Sequence, residues 1–167
     1  MKAVLKSVLI ATMIALTSCS TGSINEPEQI GKQVFEILKN ISTDIKESYI
    51  SKFISLEEIR ALGKNEEVVK DEGTRNEMTS MLKEKWISRI ERDYNRIKEK
   101  AGKSGINWKN IEYLDFVYEL KDKEGIKWCE GELYFKFNEK SFKIETSSMW
   151  NGKEYKLVVV EDLYEQE

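Results

Sequence analysis

The hydrophobic period of this 167-residue chain changes once, near residues 103–105, and this change limits the folds that it can adopt. Before this point apolar residues recur every three or four positions, as expected for helices with one buried face. After it, apolar and polar residues alternate with a period of two, as expected for strands with one buried face. Helices followed by strands predict the α+β class and not an alternating α/β fold.

The first half of the chain predicts three helices. The first begins at Pro27 and has one apolar stripe, formed by Ile30, Val34, Phe35, Leu38, Ile41, Ile45 and Tyr49. Residues 55–58, Ser-Leu-Glu-Glu, have the form of a capping box and predict a short helix that stops at Gly63. A second box at residues 74–77 predicts one long helix that ends at Ala101-Gly102. We assign its apolar stripe to the core: Met78, Met81, Leu82, Trp86, Ile90, Tyr94 and Ile97.

Four alternating segments follow, and short turn sequences separate them. The turns are Lys123-Glu124-Gly125, Asn138-Glu139-Lys140 and Asn151-Gly152, and Asn-Gly is the strongest two-residue hairpin signal. Consecutive hairpins predict an antiparallel meander of about four strands. The predicted fold is therefore α+β, with N-terminal helices, including one long helix, packed on a curled antiparallel meander. In this sheet Gly131 indicates a bulge or the close approach of a ligand or helix.

Residues 1–19 have the features of a secretory signal. Two lysines precede an apolar run that is about half of the ~20 residues needed by a membrane-spanning helix. The run ends in Leu16-Thr17-Ser18-Cys19, which resembles the lipobox of bacterial lipoproteins. The resemblance implies that Cys19 is lipidated and becomes the N-terminus, so that the protein is held at a membrane of the cell envelope. Because Ser20 follows Cys19, it implies the outer membrane, facing the periplasm, in a Gram-negative cell.

After processing, we expect a polar tether at residues 20–27 and a single α+β domain at residues 28–167. Removal of residues 1–19 takes away two lysines and no acid, so the formal net charge changes from −3 to −5. A nucleic-acid-binding surface requires a basic stripe, whereas the lysines here alternate with glutamates. The sequence therefore predicts no nucleic-acid partner.

The chain contains no histidine, which is the commonest acid–base group and the commonest transition-metal ligand. We predict no cofactor and no metal site. Glu130 and Glu132 share a strand face and could approach Asp115 to hold a calcium ion, but no calcium-loop pattern accompanies them. We assign them to a solvated surface. Cys129 lacks a base that would generate its thiolate, and we predict a buried, small apolar role for it.

Helices followed by a long curled antiparallel sheet, over residues 28–163, resemble the cystatin-like and nuclear-transport-factor-like α+β folds. Cone-shaped members of that group often hold a pocket between sheet and helices, and some are enzymes with an inward-facing acid. The nearest analogue here is Tyr113 with Asp115, two residues apart and predicted to share a strand face. The alternation places that face in solvent, so a hydro-lyase or isomerase using this pair is the alternative hypothesis.

Five large aromatic residues are candidate contacts for a ligand or partner, because such side chains dominate binding sites. They are Trp86, Trp108, Trp128, Tyr134 and Trp150. Our main hypothesis is a lipid-anchored cell-envelope binding or interaction module without catalysis, which takes a small apolar ligand or an envelope protein. A structural envelope component is a further alternative, and it predicts an exposed apolar patch in place of a cavity.

Overall fold

The computed structural model describes residues 23–166, and all of its helices precede all of its strands. The helices are α1 (Pro27–Asn40), α2 (Lys46–Ile50), α3 (Leu56–Gly63), α4 (Glu72–Ser80) and α5 (Lys83–Lys103). The strands are β1 (Glu112–Lys123), β2 (Ile126–Phe137), β3 (Lys140–Trp150) and β4 (Tyr155–Gln166). This order confirms the predicted α+β class. The signal segment, with Cys19, and residues 20–22 lie outside the described residues.

The first predicted helix is divided into α1 and α2. The carbonyl of Asn40 accepts hydrogen bonds from the backbone N–H groups of Thr43 and Asp44, which turns the chain at the end of α1. The Thr43 hydroxyl donates to the same carbonyl at 3.0 Å. A single helix up to Tyr49 is therefore a wrong prediction. The turn leaves Ile45 68% exposed, although it belonged to the predicted apolar stripe.

The first predicted capping box is confirmed at the start of α3. The backbone N–H of Glu58 donates to the Ser55 hydroxyl at 3.1 Å, and the Ser55 N–H donates to the Glu58 carboxylate at 2.9 Å. These two reciprocal bonds satisfy donors that would otherwise be free in the first turn. The helix then buries Leu56, Ile59 and Leu62 in the core.

The second predicted box is wrong, because Asp71 caps α4 three residues before Thr74. Its carboxylate accepts the Thr74 N–H at 2.7 Å. The predicted long helix is also interrupted at Met81, which has φ −56° and ψ 128°. The Arg60 guanidinium donates to the freed carbonyl of Met81 at 2.7 Å, which compensates for the lost helical bond. The break leaves Leu82 63% exposed.

The four strands form one antiparallel sheet in the order β1-β2-β3-β4, as the predicted meander requires. In the first hairpin Glu124 (φ 58°) and Gly125 (φ 87°) form a two-residue turn with positive φ angles. Gly152, with φ 100°, lies in the last hairpin. The antiparallel order places the β1–β2 and β3–β4 hairpins at one end of the sheet and the β2–β3 hairpin at the other.

The helices cover one face of the sheet unevenly. Helix α5, which is about 31 Å long, packs chiefly on β4, whereas α1 packs on β1 and β2. The Arg96 Nε atom lies 2.9 Å from the Asp162 carboxylate of β4, and Lys100 lies 3.1 Å from the same group. These ion pairs hold α5 along β4. The result is that β4 is largely buried, while the opposite edge of the sheet is not.

The folded part of the chain begins before α1, earlier than the predicted boundary at residue 28. The Tyr155 N–H donates to the Ile24 carbonyl at 2.7 Å, and the Ile24 N–H donates to the Glu154 carboxylate at 3.3 Å. Ile24 also packs against the core. Residues 24–27 thus belong to the domain and not to the predicted tether.

Candidate functional site

Strand β1 is an edge strand whose outer side is not covered. Within residues 23–166 it pairs only with β2, and most of its side chains are exposed. Three of them are apolar: Leu114 is 48% exposed, Val117 54% and Leu120 55%. A free strand edge offers unpaired N–H and C=O groups, and apolar side chains beside them favour the addition of another strand. We call this feature, comprising Leu114, Val117 and Leu120 with the backbone of β1, the free edge.

The lysines near the end of β1 do not protect the free edge. Charged side chains, lysine above all, commonly prevent unwanted pairing of edge strands. Here both Lys121 and Lys123 bind the Glu130 carboxylate of the neighbouring strand β2, which directs them toward the sheet. Lys121 also lies 3.1 Å from Glu119. The free edge therefore keeps its apolar residues without a lysine projecting from it as a barrier.

A β-bulge at Leu114 changes the predicted arrangement of Tyr113 and Asp115. Tyr113 is opposite Phe135, but Asp115 is opposite Tyr134, so Leu114 is an extra residue in β1. Because Phe135 and Tyr134 point to opposite faces of β2, the bulge separates Tyr113 and Asp115 as well. The prediction that these two side chains share a face is wrong.

Each member of the separated pair has a local structural partner. The Tyr113 ring meets the Phe35 ring of α1 edge-on, with centroids 5.5 Å apart. Partial burial, followed by the negative charge of Asp115, raises the pKa of the Tyr113 phenol. The exposed Asp115 carboxylate accepts the N–H of Phe116 at 2.8 Å. The catalytic alternative requires Asp115 inside a cavity, and this exposed position does not meet that requirement.

The open face of the sheet, away from the helices, carries a network of paired charges. Hydrogen bonds from Lys121 and Lys123 lower the pKa of Glu130. A hydrogen bond from Lys143, and a second from the Tyr134 hydroxyl, lower the pKa of Glu132. The hydrogen bond that the Tyr134 hydroxyl donates to Glu132 also raises the pKa of this hydroxyl. The Tyr134 hydroxyl is therefore already bound to a carboxylate of this network, and its side chain is half-buried.

A hollow of about 490 Å³ lies on this open face, and its lining is acidic. Its charged residues are Glu119, Glu130, Glu132, Glu145 and Glu161. This chemistry does not suit the small apolar ligand that the sequence suggested. Within residues 23–166, no three or more Asp, Glu, Cys or His side chains are grouped so that they could hold a metal ion.

The candidate tryptophans occupy different environments. Trp86 and Trp108 are buried in the core, where the Trp108 ring lies 5.9 Å from that of Phe135. Trp128 is half-buried on the open face, with the Lys123 ammonium 5.8 Å from its ring centroid. Trp150 is half-buried at the β3–β4 hairpin. Only Trp128 and Trp150 can thus contact a partner without a change in the core.

Cys129 has the buried position that we predicted. Burial, aided by the negative charge of Glu28, raises the pKa of its thiol to about 11. The thiol is therefore protonated at neutral pH and is a poor nucleophile.

The fold and this surface define an α+β domain with an antiparallel meander, one covered sheet face and one free edge. No protein-family model, curated protein or solved structure matches this chain. The resemblance to cystatin-like and nuclear-transport-factor-like folds therefore stays a prediction. Among residues 23–166, every helix is too short or too polar to cross a bilayer.

The free edge is the feature that sequence patterns did not reveal. Leu114 and Leu120 alternate with polar residues as core residues do in β2 and β3, so the pattern that places Tyr113 and Asp115 in solvent predicts that these two leucines are buried. What distinguishes them is their position in an edge strand, where Leu114 is the extra residue of the bulge and Leu120 is left uncovered by α1. Only Val117, an apolar residue on the predicted solvated face, was a signal in the sequence.

Proposed function

We propose that this protein is a lipid-anchored cell-envelope interaction module that binds an extended segment of another envelope protein along the free edge. The lipid is attached at Cys19, and the domain that follows performs no catalysis. The observation that carries the proposal is the exposure of Leu114, Val117 and Leu120 along an unpaired strand. A structural envelope component would use the same surface for a permanent contact.

The contrast between the two edges of the sheet supports binding at β1. Asp162 of β4 is engaged by Arg96 and Lys100 of α5, and the Glu161 side chain lies 3.5 Å from Arg89. The backbone of β4 is engaged as well, because its Leu157 carbonyl accepts the Ile54 N–H at 2.7 Å. At β1 an added strand would cover solvent-exposed backbone and the apolar side chains of Leu114, Val117 and Leu120, which favours association.

Lipidation is tested by metabolic labelling with an alkynyl fatty acid in a bacterial cell. We expect the wild-type protein to be labelled and the Cys19→Ala variant to be unlabelled. The Cys129→Ala variant is the matched control, because Cys129 is buried and its replacement should leave the label unchanged. Labelling that survives Cys19→Ala would contradict the anchor.

Binding at the free edge is tested with a photo-crosslinking amino acid incorporated at position 117 in the native cell. We expect a cross-link to a protein of another sequence from position 117 but not from position 45. Ile45 is the control because it is at least as exposed as Val117 and lies far from β1 in sequence, between α1 and α2. The cross-link should disappear when Leu114 and Leu120 are both changed to Lys. Equal cross-linking from both positions, or a cross-link between two copies of this chain, would contradict the proposal.

A further inference from the structure

The folded domain is connected to Cys19 at a defined point of the sheet. Ile24 is bonded through its carbonyl to Tyr155 and through its N–H to Glu154, and it packs on the core. Tyr155 is the first residue of β4. The polypeptide therefore enters the domain beside the β3–β4 hairpin.

Little chain separates this point from the proposed lipid. Only residues 20–23 lie between Cys19 and Ile24. The five residue steps from Cys19 to Ile24 span about 17 Å when fully extended. A 12-residue strand, by comparison, is about 40 Å long. Ile24 and the adjoining start of β4 are thus held within about 17 Å of the lipid-bearing cysteine, whereas the β2–β3 hairpin lies about one strand length from Ile24.

The side chains near the β3–β4 hairpin suit the interface between water and phospholipid. The half-buried Trp150 and the buried Tyr155 form an edge-to-face pair with ring centroids 5.2 Å apart. Trp is enriched at the level of lipid headgroups, and Trp150 is the member of this pair that is accessible to solvent. Lys153 is exposed at the tip of the hairpin and carries the charge that anionic headgroups attract.

The open face of the sheet is less suited to the same contact. Its hollow is lined by five glutamates, and four of them share only three lysines, Lys121, Lys123 and Lys143. If this face lay on an anionic membrane, these carboxylates would be repelled by the headgroups. The charge distribution therefore favours contact through the hairpin end over contact through this broad face.

From this geometry we infer that the β3–β4 hairpin, with Trp150 and Lys153, is the membrane-facing end of the domain and rests on anionic phospholipid headgroups. The inference rests on the proposed lipidation of Cys19. In this orientation the strands point away from the bilayer. The free edge of β1 then runs from the membrane toward the aqueous space, where an extended partner segment can reach it.

The test uses the lipidated full-length protein, processed in the cell and reconstituted into vesicles of phosphatidylethanolamine and phosphatidylglycerol. In a Cys129→Ala background, a fluorescent label that carries one positive charge is attached to Lys153→Cys, so that the charge at this position is kept, or, as the matched control, to Glu139→Cys. Both positions are exposed and lie on hairpins, but at opposite ends of the sheet. A fraction of the lipids carries a nitroxide quencher on the headgroup.

We expect the label at position 153 to lose most of its fluorescence when the quencher is present, and the label at position 139 to keep it. Equal quenching at both positions, or stronger quenching at 139, would overturn the inferred orientation while flotation with the vesicles still showed the lipid anchor. If neither label is quenched, the β3–β4 hairpin makes no direct contact with the headgroups, and this result also overturns the inference. Failure of the processed protein to float with vesicles would instead contradict the anchor itself, and the orientation with it.

Discussion

The Phe116 ring occupies the space that a side chain at Gly131 would need. A Cβ atom added to Gly131 would stand 2.3 Å from Cζ of Phe116. Gly31 of α1 faces the same ring, where an added Cβ would stand 2.4 Å from Cγ. The ring is thus held between a helix and a neighbouring strand, and the two glycines allow α1 to approach β1 and β2.

Replacement of Gly131 by Ala should destabilise the domain by about 1–3 kcal/mol, because the ring cannot move away without displacing α1. Urea unfolding followed by circular dichroism measures this change. Gly102→Ala is the matched control, since a Cβ there meets no atom within 4 Å and α5 should become no less stable. If Gly131→Ala also left the stability unchanged, the packing of Phe116 would not be as tight as the structure shows.

Replacement of Asp162 by Asn should lower the free energy of unfolding by about 1 kcal/mol, because Arg96 and Lys100 lose their shared carboxylate. The Asp162 side chain is only 25% exposed, so we expect its ion pairs to contribute more to the free energy of unfolding than an ordinary surface pair does. Glu99→Gln is the control, since Glu99 pairs with Lys103 in a far more exposed position. We expect the Asp162→Asn effect to shrink in high salt. An effect no larger than that of Glu99→Gln would show that α5 is held on β4 by apolar packing alone.

The raised pKa of Cys129 predicts a loss of stability at alkaline pH. In the unfolded chain the thiol ionises from about pH 8.5, whereas in the folded protein it does so only near its pKa of about 11. Between these values the unfolded state binds fewer protons than the folded state, so stability falls as the pH rises.

The Cys129→Ala variant removes this contribution but keeps the titration of the tyrosines. We therefore expect the stability difference between wild type and Cys129→Ala to be constant up to about pH 8.5 and then to change in favour of the variant. Urea unfolding over a series of pH values measures that difference. A difference that stays constant up to pH 11 would show that the thiol ionises at an ordinary pKa.

Local signals in the sequence were sufficient where neighbouring residues decide the structure. The box at Ser55 and Glu58 needs only residues three positions apart, and the structure has both of its hydrogen bonds. The box predicted at Thr74 failed because Asp71, which lies slightly earlier, caps the helix instead. The helix break at Met81 is accompanied by a hydrogen bond from Arg60, 21 residues earlier in the chain, and no local pattern indicates this partner.

Gly131 shows that a local signal can predict crowding at a position without identifying the group that causes it. A glycine inside an alternating strand predicted a bulge or a close approach, and the close approach is confirmed, but the approaching group is the Phe116 ring. The pairing is regular at Gly131, and a bulge lies instead at Leu114 in β1, where no glycine indicates it. This bulge placed Tyr113 and Asp115 on different faces and removed the basis of the catalytic hypothesis.

The order of helices and strands, the hairpin turns and the buried role of Cys129 were determined by the sequence alone, because periodicity and turn chemistry act over a few residues. Tertiary structure decided which apolar side chains are covered. Leu120 and Leu133 both belong to alternating segments, yet Leu133 is fully buried and Leu120 is 55% exposed. The physical reason is that burial requires an element packed above the residue, and α1, which packs on β1 at Tyr113 and Phe116, leaves Leu120 uncovered.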